Sequence, residues 1–287
     1  MQVGIGLPVR LAEAPAERLL EWAVRADEGP FSTIAVMDRV VYPAHEPLVT
    51  LAAAAAVTKR VRLLTSILLV PTRDTVLLAR QAASIDALSG GRLSVGIGVG
   101  VREDDYAIAG YPFNRRGARL DEQIPALRSI WTGATDRGQI GPRPAREGGP
   151  EVLFGGYVDA VARRIAAWGD GFMAPGGGDP DRTVALWARI LDAWAEAGRP
   201  GRPRRLGGSY FALGPNAEAA AHSHIDAWYG FDPALAKRRL RGIPVTAPAV
   251  RELIGRNEDL GVDELILRPC TPDLDQFDRL ADLVAGR

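Results

Sequence analysis

The stretch "TVLLARQAASIDALSGGRLSVGIGVG" (Thr75–Gly100) reads as one complete helix–turn–strand unit. Thr75–Ser89 is helical, and Gly90 stops it, because glycine enters the left-handed region without a Cβ penalty. Arg92–Gly98 is then a strand, with glycines at 96, 98 and 100. Glycines at a strand end thin the strand for packing or let a ligand approach the backbone.

The same alternation extends in both directions. Upstream lie a strand at Gln2–Leu7, a helix at Pro15–Glu28, a strand at Ser32–Met37, a helix at Pro47–Lys59 and an apolar strand at Val61–Val70. Downstream lie a helix near Ala118–Trp131, a strand at Glu151–Gly156, a helix at Tyr157–Gly169 and a strand at Asp170–Pro175. A helix at Asp181–Gly198, a strand at Arg205–Leu213 and helical matter from Ala217 to about Leu260 follow. A strand at Asp263–Pro269 and a helix at Asp273–Val284 complete the series. Strands separated by helices imply a parallel sheet. Eight such units predict a closed (β/α)8 TIM barrel, one domain over residues 1–287, with "DELILRP" pairing with "QVGIGL". Thr132–Pro150 and Gly230–Pro248 read as irregular surface excursions.

Composition narrows the function classes. Net charge is zero, so nothing favours nucleic acid or an anionic membrane. The longest apolar run, Leu51–Val57, is too short for a membrane span. The first twenty residues lack a signal-peptide pattern, and Cys270 is the lone cysteine, so a cytoplasmic protein is expected. His45, His222 and His224 form no metal set, since residues two apart diverge on a helix. No G-x-S-x-G elbow is present. The dinucleotide fingerprint requires Gly or Ala where Val101 stands, which argues against a nicotinamide turn at Gly96–Gly100.

A longer pattern resembles a known family. "LLTSILLVPTRDTVLLARQAASIDALSGGRLSVGIGVGVREDDYAIAGYPFNRRGARLDE" (Leu63–Glu122) is similar to the core of the bacterial luciferase-like monooxygenase superfamily. "DALSGGRLSVGIG" is its most specific element. "STIAVMDR", "VLFGG" with "ARRIAAWGDGF", and "GVDELILRP" extend the likeness over most of the chain. The resemblance implies a barrel, a homodimer and a flavin or deazaflavin cofactor. It also implies a cis, non-proline Ser66–Ile67 peptide that supports the middle of the ring.

Barrel ligands sit at the C-terminal ends of strands. That rule and the resemblance together select Leu7, Ser66, Ile67, Gly98 and Gly100 for the cofactor ring, and Gly155, Gly156, Gly176 and Gly177 for its phosphate. Bare N–H groups before a helix attract an anion, although tight βα turns use glycine equally well. Neither glycine loop carries a lysine. Asp38 and Arg39 are the catalytic candidates, with a structural ion pair at Asp38 as the competing reading. Arg39 stands where the family usually has His; arginine is a poor acid or base but stabilises developing negative charge. Val101 stands where many relatives carry Trp. Arg116 and Glu122 read as supports of the fold. Trp131, Trp187 and Trp194 read as helix faces packed on the barrel. Tyr42, Tyr106, Tyr111 and Phe113 are candidates either for the pocket lining or for loop packing.

The first expectation is a monooxygenase that uses reduced FMN from a partner reductase, O2 and a small organic substrate. The alternatives are a coenzyme F420-dependent hydride-transfer oxidoreductase and a flavin-binding protein without catalysis. The helices Pro47–Lys59 and Thr75–Ser89 are the expected dimer faces.

Overall fold

A computed structural model describes residues 1–9, 15–136, 138–176 and 180–287. In chain order the first elements are β1 (Gln2–Gly6), α1 (Ala16–Glu28), β2 (Thr33–Val36), α2 (Pro47–Val57), β3 (Arg62–Leu69), α3 (Thr75–Leu88) and β4 (Leu93–Gly98). Next come α4 (Glu103–Ala109), α5 (Arg116–Thr132), β5 (Glu151–Gly155), α6 (Ala160–Trp168), β6 (Gly171–Met173), α7 (Pro180–Glu196) and β7 (Arg204–Phe211). The last are α8 (Ala217–Tyr229), α9 (Pro233–Arg241), α10 (Ala247–Asp259), β8 (Glu264–Pro269) and α11 (Leu274–Ala285).

The eight strands close into a parallel barrel in sequence order, and β1 pairs with β8 from Gln2 opposite Glu264 to Ile5 opposite Leu267. Each strand is buried on both faces, which is why β3 reads as a continuous apolar run. One side of the sheet packs on the helices. The other fills the barrel interior with Ala35, Leu64, Leu153, Met173, Leu206 and Ile266. Side chains start the helices that return to the sheet. The Asp74 carboxylate accepts from the Leu77 amide at 2.8 Å to begin α3, and Glu46 accepts from Val49 at 2.7 Å to begin α2.

Two elements depart from expectation. Gly230–Pro248 is not irregular: it carries α9, started by Asp232 accepting from the Leu235 amide at 2.9 Å, with Pro233 in the first turn. The basic residues of α9 leave Ala236 as its one buried position, so the helix has almost no apolar period to read. Likewise α4, seven residues long with three acids in its first turn, is too short to show a period. Thr132–Pro150 is without helix or strand after Thr132 among its described residues, as expected.

The N-terminal end of the barrel is closed by charge. Glu151 Oε2 accepts from Arg62 at 2.9 Å, Ser94 at 2.6 Å and Arg204 at 2.7 Å. Arg204 also donates to Glu264, which accepts from Ser32 as well. On the same end, Asp27 accepts from the amides of Lys59, Arg60 and Val61 at 2.7–2.9 Å and so shapes the entry to β3.

Candidate active site

The C-terminal end of the barrel holds a cavity of about 480 Å³ with three walls. The first comes from β2, β3 and β4. The Ser66–Ile67 peptide is cis, and the pairing of β3 with β4 slips between Thr65 and Leu68. Ile67 thereby lines the cavity. The glycines of β4 make room for this bulge. A Cβ on Gly96 would stand 2.2 Å from the Thr65 carbonyl oxygen, and one on Gly98 would stand 2.1 Å from Ile67 Cδ1. Gly98 therefore lies behind Ile67 rather than on the cavity surface, whereas Gly100, at φ +67°, lines the rim. The alternate glycines answer to packing against a deformed neighbour strand.

Asp38 and Arg39 both line the cavity, but each is already engaged. Asp38 Oδ2 accepts from the Leu69 amide at 2.9 Å and from Arg73 at 3.0 Å, and Arg73 reaches Glu46 at 2.6 Å. Burial pushes the Asp38 carboxyl above its ordinary value, against the opposing pull of Arg73. Arg39 donates to the Trp228 carbonyl at 2.9 Å, lies 3.6 Å from Asp105, and sits 5.4–5.7 Å from the rings of Tyr42, Trp228 and Phe231. Burial pulls its pKa down.

The second wall comes from the loops after β5 and β6. Gly155, Gly156 and Gly176 line it; Gly177 lies outside the described residues. Gly156 has φ +141°, a conformation closed to other residues without strain. A Cβ on Gly155 would come within 3.1 Å of Ile67 Cδ1, and one on Gly176 would be 2.4 Å from the Gly208 carbonyl oxygen. Helix α6 begins only at Ala160, three residues later than the sequence suggests. The cations come instead from helices. Arg116 of α5, Arg164 of α6 and Arg182 of α7 all border the cavity. Arg164 pairs with Asp121 at 2.7 Å, Arg182 donates to the Tyr157 carbonyl at 3.1 Å, and Arg116 lies 3.8 Å from the Phe113 ring centre. Arg116 is thus a lining residue, while Glu122 forms an exposed pair with Arg115 at 3.6 Å.

The third wall joins β7 and β8 to α8 and α9. Tyr210, Trp228, Tyr229, Phe231, Arg239 and Arg268 form it. The Tyr210 and Tyr229 hydroxyls are hydrogen-bonded at 2.9 Å, and burial pushes Tyr210 well above the usual phenol value. Leu7 faces a smaller adjoining recess beside Tyr210 and Arg268, not the main cavity.

Tyr42, Tyr106, Tyr111 and Phe113 lie outside the lining. Tyr42 stacks on Trp228 with ring centres 4.2 Å apart, and Tyr106 donates to the Val99 carbonyl at 2.5 Å. Arg268 lies near the C-terminal end of β8, whereas Arg116, Arg164, Arg182 and Arg239 reach the mouth from helices and so escape any strand-end rule. No group of His, Cys, Asp and Glu suited to a metal occurs among the described residues. No helix among them is long and apolar enough to cross a membrane.

Comparison with known proteins places this geometry. An uncharacterized protein of Mycobacterium tuberculosis is 39% identical over 167 residues, covering 55% of this chain and 57% of that protein. An F420-dependent glucose-6-phosphate dehydrogenase of Kribbella flavida is 30% identical over 197 residues, 62% of this chain and 58% of the dehydrogenase. The matches span little more than half the length of these relatives. Among solved structures, the monooxygenase RslO1 from Streptomyces bottropensis superposes with a TM-score of 0.80 at 23% identity, over 100% of this chain and 98% of that one. An F420-dependent secondary alcohol dehydrogenase superposes at 0.78 with 18% identity, over 100% and 99%; both likenesses speak to the fold. The family model of luciferase-like monooxygenases matches residues 1–271, and the chain belongs to that family of oxidoreductases.

Proposed function

We propose that residues 1–287 form one domain that binds coenzyme F420 in the barrel mouth and transfers hydride between it and a small organic substrate. The observation that carries this reading is the arginine-rich second wall. A deazaflavin cofactor continues beyond its ring into a phosphodiester and carboxylates, and Arg116, Arg164 and Arg182 line the same cavity as the glycine loops, Arg182 directly beside them on the Tyr157 carbonyl. The residues fit the group in two further respects. Ile67 forms an apolar ledge seated between Gly98 and Gly155, against which a flat ring can lie. Gly155, Gly156 and Gly176 leave backbone bare beside it. The F420-dependent relative from Kribbella flavida supports the same choice.

When bound, the cofactor supplies the hydride donor or acceptor. The chain supplies placement and the proton. Asp38, by holding the Leu69 amide and Arg73, fixes the end of the strand that carries Ile67. Asp38 and Arg39 therefore act in positioning and in electrostatics, not as acid and base. Tyr229, half-buried and bonded to Tyr210, is the group placed to give or take a proton at its hydroxyl.

Monooxygenation with reduced FMN from a partner reductase is the second reading, favoured by the matched family's own activity. We also propose a homodimer through α2 and α3, which leave Val49, Val57, Leu77 and Leu88 exposed. Equilibrium titration with F420, FMN and riboflavin tests the cofactor. F420 is expected to bind tighter than FMN, and FMN tighter than riboflavin. Failure of all three below about millimolar, near −4 kcal/mol, rejects both readings. Oxygen uptake with reduced FMN, without F420-linked turnover, would select the second.

A further inference from the structure

We infer that the third wall is a built site for an organic carboxylate, so that the substrate is a planar acid held by Arg268 and Arg239. Arg268 projects from β8 into the barrel mouth and is 9% exposed. The sequence clears a slot for it. A Cβ on Gly6 would stand 2.8 Å from Arg268 Cγ, and one on Gly208 would stand 2.8 Å from its Nη1. Yet among the described residues the one hydrogen bond of its side chain goes to the Ser66 hydroxyl, and its Nε is buried without a partner. Among the described residues neither Arg268 nor Arg239 has a carboxylate within ion-pair distance, and Arg239 Nε is likewise unpartnered.

The hydrogen-bonded Tyr210–Tyr229 pair adjoins both guanidiniums. Arg268 is 6.0 Å from the Tyr210 ring centre, and Arg239 is 5.4 Å from that of Tyr229. Burial keeps Tyr210 protonated, so its hydroxyl does not neutralise either cation. The acids nearest the mouth are committed elsewhere, Asp38 to Arg73 and Asp105 to Arg39. A buried unpaired charge is strongly unfavourable unless a ligand completes it. A planar fork of donors suits a carboxylate. Beside it, Tyr229 and Phe231 offer rings to a flat body.

Position separates this anion from the cofactor's own. Ser66, which Arg268 touches, adjoins Ile67, whereas the glycine loops lie on the wall formed by β5 and β6. The inference rests on the ring lying at Ile67.

Titration calorimetry with benzoate, its neutral isostere benzamide, and inorganic phosphate tests it, with and without F420. Benzoate is expected to bind at least tenfold tighter than benzamide, to keep that preference with F420 bound, and to lose it in both Arg268→Met and Arg239→Met. Circular dichroism checks that each variant is folded; Arg239, half-buried on α9, is the variant least tied to the barrel. Equal affinity for the two probes, binding of neither, or a preference that survives Arg268→Met and Arg239→Met overturns the inference. Tighter binding of phosphate than of benzoate overturns the carboxylate assignment. Expulsion of benzoate by F420 gives the cation to the cofactor instead and also overturns it. Because the cofactor-free arm needs no F420, its failure is distinct from a failure of the cofactor titration.

Discussion

The two ends of this barrel treat charge in opposite ways. At the N-terminal end, Arg62 and Arg204 share Glu151, Arg204 also reaches Glu264, and two serine hydroxyls complete the network. At the C-terminal end, Arg268 and Arg239 have no acid among the described residues, and the available acids fix backbone and neighbouring arginines. One end uses charge to hold strands in register. The other leaves these two cations without an acid beside a cavity, at some expense in stability. That division follows the general asymmetry of such barrels, where ligands gather at the C-terminal face.

The largest expected effect lies at the closed end. Glu151→Ala leaves Arg62 without a carboxylate and Arg204 with one instead of two. Breaking a fully buried pair from one side costs about 3–5 kcal/mol, and because the Arg62 side chain is 35% exposed a loss at the low end of that range is expected. Chemical denaturation should show that loss, while Arg62→Met with Glu151→Met recovers most of it. A loss below about 1 kcal/mol would mean that water reaches the network and the two ends do not differ as described.

Next is Gly98→Ala. Its new methyl would fall 2.1 Å from Ile67 Cδ1, so Ile67 must move into the cavity. Overpacking of this kind costs about 1–3 kcal/mol. The larger consequence should be in the cofactor titration, where F420 is expected to bind about tenfold or more weakly, roughly 1.4 kcal/mol. Unchanged affinity would show that Ile67 is not the ring's ledge.

Arg268→Met should act with the opposite sign to Glu151→Ala. It removes a buried cation that has no acid partner among the described residues, and an apolar side chain can fill the slot cleared by Gly6 and Gly208. A gain of about 1 kcal/mol in unfolding free energy is expected, together with lost turnover. A destabilised variant would mean that the bond to Ser66 outweighs the unpaired charge.

The sequence makes the scaffold legible and only part of the site. The helix–glycine–strand unit at Thr75–Gly98 and its repeats announce the barrel because period and punctuation are local. Ser66–Ile67 is legible only through family resemblance, since a serine in an apolar strand has no signature of its own. The glycines at 96 and 98 are visible as an anomaly, but their cause is the shape of the neighbouring strand. Arg116, Arg164, Arg182 and Arg239 are lost among 35 basic residues, because nothing local says which helix positions face the mouth. Gly6 and Gly208 are similarly silent: each is explained only by Arg268, far away in the chain.

The smallest effect separates the two ends by pH. Burial raises the Asp27 carboxyl, but three backbone amides and Arg60 outweigh it, and its pKa falls below the ordinary 3.8. At Asp38 burial wins over Arg73, and its pKa is raised above 3.8. Linkage then gives opposite signs. Asp27 contributes stability that is complete above 3.8 and is lost as pH falls through its lower folded value. Asp38 contributes stability that is complete below 3.8 and is lost as pH rises through its higher folded value. Unfolding free energies measured from mildly acidic pH to below 3.8 should therefore lose part of their acid decline in Asp27→Asn. In Asp38→Asn they should instead lose a gain that the parent protein shows on moving from neutral pH toward 3.8. Asn keeps the size and one acceptor at each site, so the slope reports ionisation and not packing. If both substitutions change the slope in the same direction, the Asp38 carboxylate is ruled by Arg73, and the mouth is as well paired there as the closed end.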